Sequence, residues 1–187
     1  MYCGNNKTAL SSLQAISSAL LLLMEDHPFS EISICQICKE AGVSRQTFYS
    51  LFQSKENVIS YELRKNYCFT IENTSCEESF SLAGLCKAYS RYIEDQRDFL
   101  SLLVRNNIME CMKQSIQETF CECGQFMAFC PENERIYAVD FLASGLTSIA
   151  VNFVLYGPED DTAFLEKMIF KLFSGSLLNQ ADITCER

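Results

Sequence analysis

The segment from Ser33 to Ile59, SICQICKEAGVSRQTFYSLFQSKENVI, constrains the fold of this chain more strongly than any other stretch. Ser33 stands three residues before a glutamine, which is the spacing of a capping box at the start of a helix. Gly42 follows at the position where a residue in the left-handed conformation ends such a helix. Ser44 can then cap a second short helix, and Ser54 can cap a third. The pattern predicts two short helices joined by a tight turn and followed by a third helix.

The predicted second short helix has two faces of opposite chemistry. Phe48, Leu51 and Phe52 fall on an apolar face. The other face carries groups that can hydrogen-bond to base edges and to phosphates, namely Arg45, Gln46, Thr47, Tyr49 and Ser50. This arrangement favours a helix-turn-helix that binds double-stranded DNA, and the plainer alternative is a helical hairpin with a solvated polar surface.

At these residues the chain resembles the TetR family of bacterial transcriptional regulators. The family pattern stands here as Ala41-Gly42-Val43-Ser44, Thr47-Phe48-Tyr49, Phe52 and Ser54-Lys55-Glu56, and it covers roughly the first third of the chain. The resemblance implies that Tyr49 and Lys55 contact DNA phosphates, while Arg45, Gln46 and Thr47 contact bases. The predicted DNA-binding set is Ser33, Ser44, Arg45, Gln46, Thr47, Tyr49, Ser50 and Lys55. Leu51 departs from the family pattern, which often has a polar residue there, and it cannot donate to a phosphate.

The net charge of −9 at first argues against a nucleic-acid partner. Residues 1–72, however, hold six basic and seven acidic side chains, so most of the negative charge lies in the later part of the chain. A nearly neutral region can still bind DNA through a few placed cations and helix N-termini. Its non-specific affinity should be modest and its salt dependence shallow.

The remaining sequence predicts an all-α fold, because only 7 Gly and 3 Pro occur in 187 residues. We expect an N-terminal three-helix helix-turn-helix DNA-binding domain over residues 1–60 and a helical effector-binding and dimerisation bundle over 61–187. From Ser54 onward, the predicted helices are 54–73, 79–96, 99–106, 108–127, 132–156 and 162–178, with a loop at 73–78. The leucine-rich first helix, 9–24, is too short and too polar to span a membrane, which favours a cytoplasmic location.

The last two predicted helices are apolar on more than one side, as in the stretch Ile136 to Tyr156. Such a helix must be buried on more than one side, and a second copy of the chain can provide that burial. Proteins of the resembled family dimerise through their last two helices, which places two recognition helices about 34–36 Å apart. The alternative is that this stretch is the central helix of a monomeric core.

The middle helices are predicted to enclose a small-molecule effector. Aromatic and methionine side chains suit an apolar ligand, and the candidate lining residues are Tyr89, Tyr92, Phe99, Leu103, Met109, Met112, Phe120, Phe126, Met127, Phe129 and Phe141. The resemblance implies a repressor that releases a palindromic operator when the effector binds. The effector itself is not readable from the sequence, and no cofactor or metal is expected.

Eleven cysteines leave further alternatives open. An odd count and the lack of a secretory signal argue against a disulfide framework. The pair Cys35 and Cys38 is a candidate dithiol or half of a zinc site, and Cys121, Cys123 and Cys130 are candidates for a thiol or metal sensor. The plainer interpretation is that they are small buried hydrophobes. No enzyme motif or acid–base constellation is present, and a helical protein-binding adaptor remains the alternative to a DNA-binding regulator.

Overall fold

The computed structural model describes residues 7–66, 81–157 and 162–175. Within these ranges the chain is helical and contains no β-strand, which confirms the predicted all-α class. The helices are α1 (Lys7–Asp26), the 3-10 helix η1 (Phe29–Glu31), α2 (Ile34–Glu40), α3 (Arg45–Leu51), α4 (Lys55–Asn66), α5 (Leu82–Asp95), α6 (Arg97–Arg105), α7 (Glu110–Glu122), α8 (Gly124–Phe129), α9 (Arg135–Tyr156) and α10 (Thr162–Phe173).

One predicted helix is wrong, because residues 108–127 do not form a single helix. The chain breaks between α7 and α8 at Cys123, which has extended backbone angles (φ −76°, ψ 102°). Gly124 follows directly, and glycine weakens a helix interior. The predicted loop at 73–78, the end of the helix expected to reach residue 73, the start of the helix expected at residue 79 and the end of the last helix at 178 lie outside the described residues.

The chain forms two compact units. Unit 1 comprises residues 1–66 together with 101–118, and unit 2 comprises residues 67–100 together with 119–187. Unit 1 therefore holds the predicted helix-turn-helix and also the end of α6 and most of α7. The functional division at residue 60 stays a prediction.

The core of unit 1 forms around α1. Leu13, Ile16 and Leu20 are at most 2% exposed, as their helical spacing predicts. The α1 helix packs against α2, α3 and α4. Ser17 of α1 donates a hydrogen bond to the largely buried carboxylate of Glu62 in α4. By length and composition α1 and α9 could each cross a membrane, but α1 uses its apolar face as a core helix does.

The corner between α2 and α3 is built as the sequence predicts. The Ser33 hydroxyl accepts from the Gln36 N–H at 3.3 Å, and the Gln36 side chain accepts from the Ser33 N–H at 2.9 Å, which completes a capping box. Gly42 has a positive φ of 65° and reverses the chain after α2. The Ser44 hydroxyl then accepts from the Thr47 N–H at 3.0 Å and begins α3. Ser54 caps α4 in the same way, with 3.3 Å to the Asn57 N–H.

Unit 2 is organised by α5, α9 and α10. The α10 helix packs along α5, and the buried Tyr89 hydroxyl of α5 donates to the Leu146 carbonyl of α9 at 2.8 Å. Arg97 donates to the Gly157 carbonyl at 3.1 Å and lies 4.8 Å from the centre of the Phe153 ring. Only one edge of α9 is buried, formed by Val139, Ala143, Leu146, Ala150 and Phe153. The other side of this apolar helix faces away from the core of unit 2.

Replacing Gly42 by alanine tests the left-handed corner. No atom lies within 4 Å of the position that a Cβ would take, so the cost comes only from the positive φ. We expect the free energy of unfolding to fall by about 1 kcal/mol, as for an L-residue in the left-handed region. Urea denaturation measures this difference.

Gly124→Ala is the matched control, because the space around its Cβ is equally open and its φ is not in the left-handed region. We expect no loss of stability, since alanine reduces the entropy of the unfolded chain. Equal losses in the two variants would contradict the account of the corner.

Candidate DNA-binding site

The α3 helix presents its polar face to solvent. Its apolar face is anchored in the core of unit 1, with Phe48 0% and Leu51 7% exposed. The predicted base-reading and phosphate-binding side chains lie on the outer side: Arg45, Gln46, Tyr49 and Ser50 are exposed and Thr47 is half-buried. The structure therefore brings these five side chains together on one surface of a short helix. A polar helix face of this kind can enter a major groove.

Arg45 and Tyr49 form a pair on this surface. A side-chain hydrogen bond to Tyr49, with smaller effects from Cys35 and the tyrosine's charge, raises the pKa of the fully exposed Arg45 guanidinium. The Tyr49 ring stands edge-on to the Phe48 ring, with centroids 5.6 Å apart. The Tyr49 ring thus packs against the buried Phe48, while 49% of the residue remains exposed. Both groups are positioned for polar contacts with a partner.

Several of the predicted contacts already have partners inside the protein. The Ser44 and Thr47 hydroxyls lie 2.9 Å apart, and the Ser50 hydroxyl donates to the Thr47 carbonyl at 2.8 Å. The Ser33 hydroxyl is likewise paired, 2.7 Å from the Gln36 side chain. These serines stabilise the helix ends, so any DNA contact by them adds to a structural role. Gln46 is exposed beside them.

Lys55 is bound by backbone carbonyls, an arrangement that the sequence did not predict. Its ammonium donates to the carbonyl oxygens of Phe29, Ser30 (3.4 Å) and Ile32 (3.0 Å). It also lies 4.4 Å from the centre of the Phe29 ring. An ammonium has three N–H donors, so each has a carbonyl acceptor here. The phosphate contact implied by the family resemblance stays a prediction, and making it requires Lys55 to leave at least one carbonyl.

The predicted pocket residues are distributed over both units. Leu103, Met109 and Met112 belong to unit 1, and the other candidates belong to unit 2. Tyr89 and Tyr92 of unit 2 are buried with their rings stacked at 6.1 Å, and burial raises the pKa of Tyr89 well above its ordinary value. Within unit 2, Phe120 and Phe126 also pack against each other, with ring centroids 5.0 Å apart. Phe99, Met109, Phe120 and Met127 are half-buried, and the side chain of Phe129 lies outside the described residues.

Phe141 is the pocket candidate that the structure does not place in an interior. Its side chain is 67% exposed, and its ring stands edge-on to Phe173 of α10 with centroids 6.2 Å apart. The sequence pattern could not predict the exposure of Phe141, because α9 is apolar around its whole circumference and no polar stripe distinguishes its outward side. Phe141 belongs to an exposed apolar surface of unit 2.

The described cysteines differ mainly in burial. Cys38, Cys86 and Cys111 are buried, whereas Cys35 and Cys121 are exposed and Cys123 and Cys130 are half-buried. Burial, reinforced by the nearby Glu166, raises the pKa of the Cys86 thiol to about 11, so this thiol is protonated at neutral pH. Among the residues that the structure describes, no group of three His, Cys, Asp or Glu side chains could hold a metal ion.

Comparison with known sequences places the site in a family. Residues 16–61, which run from α1 into α4, match the family described as bacterial regulatory proteins, tetR family. The DhaS activator of the dhaKLM operon from Lactococcus lactis is 30% identical over 71 residues, 38% of this chain and 38% of DhaS. The regulator EthR from Mycobacterium tuberculosis is 51% identical over 37 residues, 20% of this chain and 17% of EthR. The aligned segments span well under half of either relative.

Solved structures resemble the chain over nearly its whole length. Lin0861 from Listeria innocua has a TM-score of 0.78 with 15% identity, over 95% of this chain and 96% of that one. The fatty acid degradation regulator FadR from Bacillus halodurans has a TM-score of 0.53 with 20% identity, over 95% of this chain and 98% of that one. These likenesses show the fold. The match over residues 16–61, which contain the polar face of α3, supports a TetR-family transcriptional regulator.

Proposed function

We propose that the chain is a cytoplasmic transcriptional regulator that binds a palindromic operator as a homodimer and releases it when a small molecule binds. The observation that carries the proposal is the α3 surface: four exposed polar side chains and one half-buried one lie on a helix anchored by the fully buried Phe48. Rigidly held polar groups on a projecting helix are what direct readout of base edges requires. In this role Arg45, Gln46 and Thr47 contact bases, and Tyr49 contacts a phosphate.

The dimer is supported by an exposed apolar surface on α9 and α10. Eight large apolar side chains of these two helices are 42–80% exposed: Ile136, Tyr137, Phe141, Leu155, Tyr156, Phe164, Phe170 and Leu172. Exposed apolar side chains in this number are typical of an interaction site. A two-fold partner covers the same surface on both copies and sets two α3 helices about one helical turn of DNA apart. We propose that the last two helices form this interface.

We propose repression as the regulatory outcome, because a dimer that occupies a promoter blocks it. DhaS, one of the relatives, is described as an activator. The sign of regulation is therefore read directly from a reporter placed behind the bound DNA. A fall in expression on adding the protein supports repression, and a rise contradicts it.

Tyr49→Phe tests the proposed phosphate contact. The variant keeps the ring that packs on Phe48 and removes only the hydroxyl. A hydrogen bond to a charged group contributes about 1.5 kcal/mol or more, so we expect DNA affinity to fall by roughly tenfold or more. Fluorescence anisotropy on the DNA flanking the gene, with unrelated competitor DNA, measures the affinity.

Tyr61→Phe serves as the matched control. Tyr61 also stacks edge-on to a core phenylalanine, Phe52, and is not among the predicted DNA-contacting residues. Its affinity should equal that of the wild type, and both variants should keep the wild-type unfolding midpoint. Unchanged binding by Tyr49→Phe would exclude the phosphate contact, and an equal fall in both variants would point to a general effect on folding.

Tyr137→Asp tests the proposed interface. Tyr137 is 76% exposed in the single chain, so a charge there costs the isolated chain little. In a dimer the same charge is buried against apolar side chains, which is strongly unfavourable. We expect sedimentation to show dimers for the wild type and monomers for the variant.

Leu22→Asp is the control for this experiment. Leu22 is also an exposed apolar residue, 52% exposed, but it lies on α1 of unit 1. It should sediment like the wild type. A Tyr137→Asp variant that remains dimeric would place the interface elsewhere.

A further inference from the structure

We propose that Asn106 is a positioning residue that controls the DNA contact of Lys55. Asn106 binds the η1 turn, and carbonyl oxygens at that turn bind the Lys55 ammonium. The inference deepens the proposed function and rests on it. Asn106, the η1 turn (Phe29–Glu31) and Lys55 all belong to unit 1. We call Asn106, the η1 turn and Lys55 the latch. While Asn106 binds the turn, the Lys55 ammonium stays bound to the turn's carbonyls. When that hydrogen bond breaks, the ammonium becomes available to a phosphate.

The Asn106 amide is fixed at both of its ends. Its Oδ1 accepts a hydrogen bond from the Phe29 N–H at 2.7 Å, and its Nδ2 donates to the Leu102 carbonyl at 2.9 Å. Asn106 directly follows α6, and Asn107 has a positive φ of 56° that ends the helix there. A displacement of this end of α6 therefore acts directly on the N–H of Phe29.

Phe29 connects the two parts of the latch. Its ring is 6% exposed and lies beneath the Lys55 ammonium, and its carbonyl is one of the three acceptors of that ammonium. Its N–H donates to Asn106, and its carbonyl accepts from the Lys55 ammonium and from the Ile32 N–H at 3.3 Å. Holding Phe29 in place keeps the carbonyls of the turn converged on the ammonium.

A DNA phosphate competes with this arrangement for Lys55. A phosphate carries a full negative charge, whereas a carbonyl oxygen carries only a partial one, so a phosphate within reach attracts the ammonium away from the turn. Asn106 opposes this exchange because it stabilises the turn in the form that binds Lys55. The contacts at the end of α6 and a phosphate at the DNA surface are therefore negatively coupled through the η1 turn.

The chain offers a matched control for this latch. Glu118 of α7 pairs with Arg64 near the end of α4, which is a second polar link from the 101–118 segment to the helix-turn-helix region of unit 1. This pair lies at the opposite end of α4 from Lys55. Glu118→Gln weakens that second link without altering the hydrogen bond of the η1 turn.

Chemical reactivity of Lys55 tests the latch without DNA. The full chain is treated with limiting acetic anhydride, and the acetylation rate of Lys55 is measured by peptide mass spectrometry relative to the exposed Lys39. We expect Asn106→Ala to raise the relative rate of Lys55 severalfold and Glu118→Gln to leave it unchanged. An unchanged rate in Asn106→Ala, or equal increases in both variants, would overturn the latch.

The salt dependence of DNA binding tests the consequence. With a short random-sequence duplex as the probe, Asn106→Ala should bind with a slope of log K against log salt that is steeper by about 0.9 for each added phosphate contact. In the Lys55→Gln background the same substitution should leave the slope unchanged. A purely structural role for Asn106 predicts weaker binding with an unchanged slope in both backgrounds, which would refute the coupling.

The two experiments separate this inference from the proposed function. A wild-type chain that binds no duplex at all contradicts the proposed function and, with it, the role of Asn106 in DNA contact. A wild-type chain that binds, with an Asn106→Ala slope equal to its own, contradicts only the latch.

Discussion

The burial of Phe48 is the interaction on which the rest of this structure depends. Its ring is fully enclosed in a core shared with α1, and its position on a seven-residue helix leaves every polar neighbour on the outer side. So short a helix is not stable alone, since isolated helices need about 12–15 residues to persist in water. The buried Phe48 and the Ser44 cap therefore stabilise α3 as a helix, and Phe48 determines which face of α3 is exposed. The proposed DNA recognition depends on that single orientation.

The helix ends and the orientation of α3 could be predicted from the sequence because they depend on local chemistry. Ser33, Ser44 and Ser54 cap helices and Gly42 takes the left-handed conformation, and each of these signals lies within a few residues of its partner. The partners of Lys55 could not be predicted, because they are carbonyl oxygens of a turn more than twenty residues earlier in the chain. The outward position of Phe141 was equally hidden, since an evenly apolar helix carries no pattern that distinguishes its sides.

The proposed DNA contact lies in unit 1, and the proposed dimer interface lies in unit 2. Unit 1 has a projecting polar helix and a lysine whose charge is held on the protein by the η1 turn. Unit 2 leaves much of the apolar surface of α9 exposed, with Tyr137 and Tyr156 at 76% and 80% exposure, which suits a helix that is covered by a second copy. A palindromic DNA site requires both features, because the two-fold axis of the dimer must coincide with that of the operator.

Selection of bound sequences from a random DNA pool tests the central claim most directly. The purified full chain is incubated with the pool at moderate salt, and the bound fraction is amplified and sequenced over several rounds. The account predicts enrichment of an inverted repeat whose half-sites are centred about one or more turns of DNA apart, with each turn about 34–36 Å long. It also predicts that Arg45→Ala changes the preferred bases within each half-site. A pool that shows no enriched motif would contradict the assignment of α3 as a DNA-reading helix.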